Sequence, residues 1–279
     1  MNGYDNLPYD RLPGSDGCTV MWIRSGYSEF LLKAGVDRPE TLALRNRSRQ
    51  LGRGTVVFFP LEGRSGERAV MKRYRRGGFA GMFLPDRFVG LAPFLRELRI
   101  VEEAIGAGIP VPLPLGLVRQ GRWGFHRVYG ISRSIDSARN LLELMDDPMP
   151  ASRRRRLART IARTIRMAQD GGLDHRDLNL GNVLASPAGN GFQVHLVDLA
   201  GSRMWRPLPM RRRIRVLKRF RRSWEKQLFL RGRRSGIEVN RFLVEYASGN
   251  RELLRVLGAR GRWDRLLLAV HRAGWRLMR

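Results

Sequence analysis

The sequence predicts an α+β fold of two lobes, a small β-rich N-lobe followed by a compact helical C-lobe. Short runs of β-branched and aromatic residues are concentrated in residues 46–132, whereas apolar residues recur at helical spacing through much of residues 133–279. A chain of 279 residues with 43% hydrophobic composition is long enough to bury a core in each lobe. Residues 1–45 are assigned to an N-terminal extension that contains one short helix at residues 28–34.

The N-lobe is predicted to consist of two β-hairpins with a helix between them. Strand-like residues 55–59 and 69–72 flank a Gly-Arg-Ser-Gly turn. The helix is indicated by apolar residues three or four positions apart: Phe94, Leu98, Val101 and Ile105. Residues 115–118 and 125–129 form the second predicted hairpin.

The C-lobe is predicted to be mainly helical around one polar loop. Ser152 is suited to cap the first long helix, whose apolar stripe continues to Ile165. A loop over residues 173–182 follows, and the short apolar runs at residues 183–185 and 194–199 are predicted to be strands. The rest of the lobe is helical by its apolar spacing.

Charge and cysteine content restrict the function. The formal net charge is +28, and residues 203–279 alone hold 23 basic and five acidic side chains. Such a field attracts polyanions, although a bias toward arginine codons is the alternative explanation. Cys18 is the only cysteine, which excludes an intramolecular disulfide and a cysteine-based zinc site. The sequence has no apolar run of about 18 residues and no N-terminal signal pattern, so we expect neither a membrane-spanning helix nor secretion.

The strongest motif is His-Arg-Asp-Leu-Asn-Leu-Gly-Asn at residues 175–182, which matches the H-R-D-x-x-x-x-N catalytic loop of protein-kinase-like enzymes. In that loop an aspartate accepts or orients the proton of the acceptor hydroxyl. An asparagine five residues later binds a metal ion on the phosphates of ATP. Asp177 is therefore the predicted catalytic base and Asn182 a predicted Mg²⁺ ligand. The motif predicts an ATP- and magnesium-dependent kinase with a protein-kinase-like fold.

A second carboxylate follows where the other metal ligand is expected. Sixteen residues beyond Asn182, the Val-His-Leu-Val run at residues 194–197 predicts a buried strand that ends at Asp198. An aspartate at the end of a strand is usually a turn residue, but its pairing with the preceding loop favours metal binding. Asp198 is the second predicted Mg²⁺ ligand.

A lysine in the N-lobe is predicted to bind the phosphates of ATP. Ala-Val-Met-Lys at residues 69–72 is similar to the V-A-I-K strand, whose lysine contacts the α- and β-phosphates. Lys72 alternates with Val70 and so shares its face of the strand. An acidic partner is expected on the following helix, where Glu97 and Glu102 both border the apolar stripe. Spacing alone does not separate these two candidates.

Two glycines before the first hairpin are predicted to cover the nucleotide. Gly52 and Gly54 flank one arginine just ahead of the first strand. The third glycine of G-x-G-x-x-G is missing, so the prediction depends on their position before the hairpin that ends in Lys72.

Several further segments make the sequence resemble the Kdo kinase branch of the lipopolysaccharide-core kinases. They are residues 72–78, 86–88, 96–98 and 108–112 together with the loop at 174–182. Members phosphorylate a sugar of the lipopolysaccharide inner core (Kdo, or heptose in a sister branch) with ATP at the cytoplasmic face of the inner membrane. The resemblance, over about residues 50–205, implies Glu97 as the acid that pairs with the lysine, Asp177 as the base, and Asn182 and Asp198 as metal ligands.

The sequence departs from these families in three respects. Asp198 is followed by Leu-Ala-Gly, where protein kinases have Phe-Gly and Kdo kinases usually have Phe-Asp. No Ala-Pro-Glu follows, and only 81 residues remain after Asp198. Residues 1–45 also fit the family poorly. We therefore expect no protein substrate, while the acceptor sugar stays open.

Two alternative functions belong to other classes. A kinase of the aminoglycoside or choline phosphotransferase type usually presents an acidic pocket to a cationic substrate. The net charge of +18 in residues 203–279 predicts an anionic substrate instead. A non-catalytic, kinase-like polyanion-binding protein is disfavoured because the base and metal positions are all filled. No nucleic-acid partner is expected, since the sequence has no aromatic-rich nucleic-acid signature.

The basic C-terminal region predicts a surface for an anionic, membrane-bound substrate. Residues 203–234 contain 14 basic side chains and one acidic side chain, Glu225. Apolar residues recur there at helical spacing: Ile214, Leu217, Phe220, Trp224 and Leu228. This stripe either packs on the C-lobe and leaves a basic face beside the catalytic cleft, or lies in the membrane interface with Trp224 at headgroup level. Both alternatives predict peripheral binding to an anionic membrane surface. The resemblance implies that this surface is the cytoplasmic face of the inner membrane, where the lipid A-linked glycan substrate is held.

Overall fold

A computed structural model describes residues 7–51, 54–75, 86–121, 124–233 and 237–249, with Leu253 and Arg255. The chain divides into two compact units. The first runs up to residue 102 and includes residues 112–135, and the second contains residues 103–111 and continues from residue 136. The predicted α+β class and the β-rich and helical lobes are confirmed.

The described part of the first unit is built on a seven-stranded sheet in which all paired neighbours are antiparallel. Its strands in chain order are β1 (Tyr9–Pro13), β2 (Thr19–Arg24), β3 (Arg47–Leu51), β4 (Gly54–Pro60), β5 (Arg68–Arg73), β6 (Pro114–Gln120) and β7 (Arg127–Arg133). The spatial order is β1-β2-β6-β7-β5-β4-β3. The helices are α1 (Ser28–Ala34), α2 (Pro39–Arg45) and α3 (Ala92–Gly106). Both predicted hairpins and both predicted helices are confirmed.

Helices pack on both faces of this sheet. On one face, Leu31 of α1 joins a cluster with Met71 of β5. On the other face, Phe94 and Leu98 of α3 pack with Val128 of β7. Because successive strand residues point to opposite faces, β6 and β7 contribute to both clusters.

The predicted boundary at residue 45 is wrong. Strand β1 and strand β2 belong to the main sheet, and α1 and α2 contribute buried leucines to one of its two cores. The sequence signal was weak because β2 pairs with β6, and the paired residues, from Thr19 with Gln120 to Ile23 with Gly116, are between 93 and 101 positions apart in the chain. Periodicity within a short window does not detect such a pairing. Residues 9–45 are therefore part of the N-lobe rather than an extension.

The described part of the second unit is mainly helical. Its helices are α4 (Leu141–Leu144), α5 (Ala151–Asp170), α6 (Met210–Leu230) and α7 (Ile237–Ala247). Its strands are β8 (Arg139–Asn140), β9 (Leu173–Asp174), β10 (Val183–Ala188), β11 (Gly191–Leu196) and β12 (Arg203–Met204), which form the sheets β11-β10-β8 and β12-β9. Helix α5 begins at Ala151 after Pro150, with no side-chain cap, so the predicted Ser152 cap is wrong.

The apolar stripe of α6 packs on the protein. Leu217 and Phe220 are buried, and Phe220 stacks on Phe242 of α7 with 5.7 Å between ring centroids. Of the two predicted arrangements for this basic helix, the packed one is confirmed. Among the described residues, none of the helices combines the length and apolarity needed to cross a bilayer.

Candidate active site

The first unit places Lys72 on the sheet face that α3 covers. Lys72 lies opposite Val56 of β4 and Gly130 of β7. Its neighbour Met71 points into the cluster on the other face. Val128, two residues before Gly130 on β7, packs against α3. Lys72 and α3 therefore share one face, as a lysine with an acidic partner on that helix requires.

The two acidic candidates on α3 have different surroundings. Glu102 Oε1 accepts hydrogen bonds from Tyr9 Oη at 2.5 Å and from Arg24 Nη2. Burial, followed by the bond to Glu102, raises the pKa of the Tyr9 hydroxyl, so this group stays a neutral donor. Glu102 thus ties α3 to β1 and β2. This structural role leaves Glu97 as the candidate partner of Lys72.

Of the two glycines that were predicted to cover the nucleotide, the structure describes only Gly54. Gly52 lies outside the described residues. Gly54 is the first residue of β4 and pairs with Leu51 of β3. The structure thus places Gly54 at the start of the strand pair that leads to Lys72.

Replacing each of the two α3 acids separates their roles. We expect Glu97→Gln to raise the KM for ATP about tenfold or more, because a lysine loses a charge-assisted partner. Glu102→Gln is expected to leave that KM unchanged and to lower the melting temperature instead, since it weakens the contacts to Tyr9 and Arg24. Steady-state kinetics and thermal denaturation of both variants test this. Equal effects on ATP would contradict the assignment of Glu97.

The catalytic loop begins with a buried histidine. His175 Nε2 lies 3.1 Å from the carbonyl oxygen of Val197. Burial lowers the pKa of the His175 imidazole, so the ring is neutral at neutral pH. Since a carbonyl only accepts, Nε2 carries the proton and donates it in this bond. The bond ties the start of the loop to the residue before Asp198.

Asp177 is held by its backbone while its carboxylate stays accessible. The Asp177 carbonyl oxygen accepts hydrogen bonds from the side-chain amides of Asn179 at 3.0 Å and Asn182 at 2.9 Å. The Asp177 side chain is 63% exposed. A general base needs this combination of a fixed position and open access to a substrate hydroxyl. The predicted base is therefore suitably placed.

Asn182 and Asp198 lie on adjacent backbone segments. The Val197 N–H donates to the carbonyl oxygen of Asn182 at 3.0 Å, which brings the residue before Asp198 alongside the loop. Asp198 has φ = 62°, in the left-handed region that few non-glycine residues adopt. Non-glycine residues in this region are frequent at functional sites. The structure therefore places the two predicted metal ligands on adjoining backbone segments.

The chemistry of this pair fits magnesium. An amide oxygen and a carboxylate are hard oxygen ligands, and the Asn182 amide nitrogen already donates to Asp177, which leaves its oxygen for a cation. In the described part of the chain no three His, Cys, Asp or Glu side chains form a potential metal cluster. Mg²⁺ is usually held by one or two carboxylates together with substrate phosphates, so a small protein ligand set suits it.

One face of α6 runs along the catalytic loop, and the sequence did not reveal it. Four of its side chains, spaced three or four residues apart, contact the loop: Arg212, Arg215, Arg219 and Ser223. Arg212 and Arg215 pair with the buried Asp174, at 2.7 and 2.8 Å. Arg219 Nη1 donates to Asp177 Oδ1 at 3.2 Å, and Ser223 Oγ accepts from the Leu180 N–H, also at 3.2 Å. With arginines so frequent in this helix, spacing does not distinguish the three that contact the loop.

The fold resembles that of solved kinase-like proteins. The structure matches that of WaaP in complex with acyl carrier protein with a TM-score of 0.56 and 16% sequence identity, over 91% of this chain and 98% of that chain. This likeness shows the class of fold, which is kinase-like, and the catalytic loop with its two metal-ligand candidates carries the groups that a phosphotransferase needs.

The family follows from the sequence comparisons. A profile of the lipopolysaccharide kinase (Kdo/WaaP) family matches residues 46–246. The chain is 28% identical to the 3-deoxy-D-manno-octulosonic acid kinase of Haemophilus influenzae (strain PittEE) over 189 residues, 63% of this chain and 74% of that protein. It is 33% identical to the enzyme of that name from Xanthomonas oryzae pv. oryzae (strain PXO99A) over 180 residues, 62% and 67% of the two chains. The chain belongs to the lipopolysaccharide kinase (Kdo/WaaP) family and is an ATP-dependent carbohydrate kinase.

Proposed function

We propose that this kinase transfers the γ-phosphate of ATP to a hydroxyl of Kdo in the lipopolysaccharide inner core, with heptose as the alternative acceptor. The main observation in support is the catalytic loop, in which Asp177 is accessible and its backbone carbonyl is bound by two asparagine side chains. Two relatives that carry the name 3-deoxy-D-manno-octulosonic acid kinase favour Kdo as the acceptor. Membership of this family disfavours the alternative function as an aminoglycoside or choline phosphotransferase.

The proposed roles divide between the two units. Asp177 takes the proton of the acceptor hydroxyl, while Lys72, paired with Glu97, binds the α- and β-phosphates, and Gly52 and Gly54 are the proposed cover of the nucleotide. Asn182 and Asp198 are the proposed ligands of Mg²⁺, which when bound offsets the charge of the phosphate oxygens. Positioning and electrostatic stabilisation account for most of the rate enhancement in phosphoryl transfer. The accessible acidic and amide side chains of the loop are suited to positioning the substrates and to stabilising charge in the transition state.

A direct assay of acceptors tests this function. The purified full chain is incubated with labelled ATP, magnesium and lipid A that carries either Kdo alone or Kdo with heptose, and the product is analysed by mass spectrometry and NMR. We expect one added phosphate on Kdo. Phosphate found only on heptose would support the sister activity instead. Transfer only to an aminoglycoside or choline, with neither glycan modified, would contradict the proposal.

We also propose that the enzyme binds peripherally to the anionic cytoplasmic face of the inner membrane. Four exposed cationic side chains follow one another along α6 at spacings of four, three and four residues: Arg211, Arg215, Lys218 and Arg222. These four residues form the basic face of α6. Because the apolar stripe of the helix packs on the protein, attachment through this face would be electrostatic. A lipid-anchored, phosphorylated acceptor lies at such a surface.

Salt and lipid charge should control this attachment. We expect the protein to co-sediment with phosphatidylglycerol-containing vesicles at low salt and not to bind phosphatidylcholine vesicles. Added salt should release it from the anionic vesicles, because salt shortens the distance over which charges interact. The double variant Arg211→Gln/Arg222→Gln should bind about 30-fold more weakly, at about 1 kcal/mol per lost cation.

Arg159→Gln/Arg163→Gln is the matched control, because it removes two exposed arginines from α5. Its binding should equal that of the wild type. Retention that is insensitive to salt and lipid charge would contradict the electrostatic mechanism. Tighter binding to duplex DNA than to anionic vesicles would favour a nucleic-acid partner instead.

A further inference from the structure

Arg219 contacts the predicted catalytic base, Asp177, with only one nitrogen of its guanidinium. Its two hydrogen bonds, to Asp177 Oδ1 and to the Arg176 carbonyl oxygen, are both donated by Nη1. In the described part of the chain, Nε and Nη2 therefore have no protein acceptor. The Arg219 side chain is 40% exposed, so this second edge is open to a ligand.

The open edge has the geometry that binds a carboxylate. Nε and Nη2 point the same way from a planar group, and two parallel N–H bonds to the two oxygens of a carboxylate are the strongest arrangement an arginine makes. Helix α6 holds the arginine in place, because Ser223 one turn further accepts a bond from the same catalytic loop. The edge is thus fixed relative to Asp177.

We propose that Arg219 binds the carboxylate of the acceptor sugar through Nε and Nη2, an inference that rests on the proposed function. The acceptor in the names of the relatives is an acid. A hydroxyl at Asp177 and a carboxylate at the open edge would lie a few ångströms apart, as two groups on one sugar do. Arg219 would then be the residue that distinguishes an acidic acceptor from a neutral one.

The charge balance at the base supports this assignment. An acidic sugar that approaches Asp177 brings one carboxylate close to another, and two like charges at that distance repel each other. A guanidinium that contacts Asp177 on one edge and the acceptor on the other offsets both charges. The exposed cations of α6 attract polyanions of any shape, whereas the fork of Arg219 selects a planar anion beside the reacting hydroxyl.

The test compares an acceptor whose Kdo carboxylate is free with the methyl ester of the same acceptor. For the full-length wild type, we expect the ester to lower kcat/KM about 10- to 100-fold, mainly through KM, because a charge-assisted contact is lost. Arg219→Gln should remove the preference for the acid, so that acid and ester give equal kcat/KM in that variant. Arg219→Lys should recover part of the preference for the acid. The KM for ATP should not change in either variant.

Arg159→Gln is the matched control, since Arg159 is an exposed arginine of α5 that pairs with Glu245 at 3.9 Å. It should keep the wild-type ratio of acid to ester. Equal use of acid and ester by the wild type would overturn the carboxylate site, as would a wild-type ratio in Arg219→Gln. Loss of turnover with both acceptors in Arg219→Gln would show that Arg219 only positions Asp177. Wild-type enzyme that phosphorylates no Kdo acceptor would contradict the proposed function itself.

Discussion

Replacing Asp177 with alanine is expected to lower kcat by at least ~100-fold, the contribution of a general base. ATP binding should be nearly unchanged, because the proposed phosphate and metal ligands are other residues. The loop should keep its shape, since Asn179 and Asn182 both hold the backbone carbonyl of Asp177, and of the two only Asn179 also donates to its carboxylate, at 3.3 Å. Single-turnover kinetics with labelled ATP, together with calorimetric titration of the nucleotide, measures the two effects separately.

Asp146 provides the matched control for this variant. Its side chain is 59% exposed and pairs with Arg231, much as the exposed Asp177 pairs with Arg219. Asp146→Ala removes the same carboxylate and one arginine contact in the same unit, so it should keep wild-type turnover. Wild-type turnover in Asp177→Ala would show that the catalytic loop has been wrongly assigned.

Replacing Asp198 with asparagine is expected to lower kcat/KM by roughly 100-fold or more, the usual effect of losing one group that stabilises charge in the transition state. Asparagine tolerates the left-handed backbone at this position better than alanine does, so the change removes the charge without added strain. Affinity for ATP should fall in the presence of magnesium and should be unaffected when magnesium is chelated. Nucleotide titrations with and without the metal test this.

The metal dependence distinguishes a ligand from a structural residue. If Asp198 binds Mg²⁺, the variant should need a higher magnesium concentration for half-maximal activity, while its melting temperature without metal stays close to that of the wild type. An unchanged magnesium requirement together with a lower melting temperature would contradict the assignment. Asp146→Ala again serves as the control, with a normal magnesium requirement.

The parts of the site that are local in sequence could be predicted, and the parts assembled from distant residues could not. The loop at residues 175–182 carries its chemistry at a fixed spacing, so Asp177 and Asn182 were identifiable directly. Strand alternation placed Lys72 on the same face as Val70, and the structure shows that α3 covers this face. The choice between Glu97 and Glu102 needed Tyr9 and Arg24, which reach α3 from β1 and β2.

The buried Asp174 shows why the contacts between α6 and the catalytic loop could not be predicted from the sequence. Its side chain is 5% exposed and pairs with two arginines from a helix some forty residues further along. Aspartate before a histidine gives no sign of burial, and each arginine of α6 looks like its neighbours in the sequence. Which arginine faces the loop depends on the rotation of the helix about its axis, and Leu217 and Phe220 set that rotation by packing.

The contacts of α6 with the catalytic loop join segments that are made at different times during synthesis. Asp177 precedes Ser223 by 46 residues, so the predicted base and both predicted metal ligands are synthesised before the helix that contacts the catalytic loop. A fragment that ends before residue 210 would retain all of these groups and lack the bonds to Asp174, Asp177 and Leu180. The contacts of α6 with the catalytic loop are therefore completed only after most of the described chain has been made.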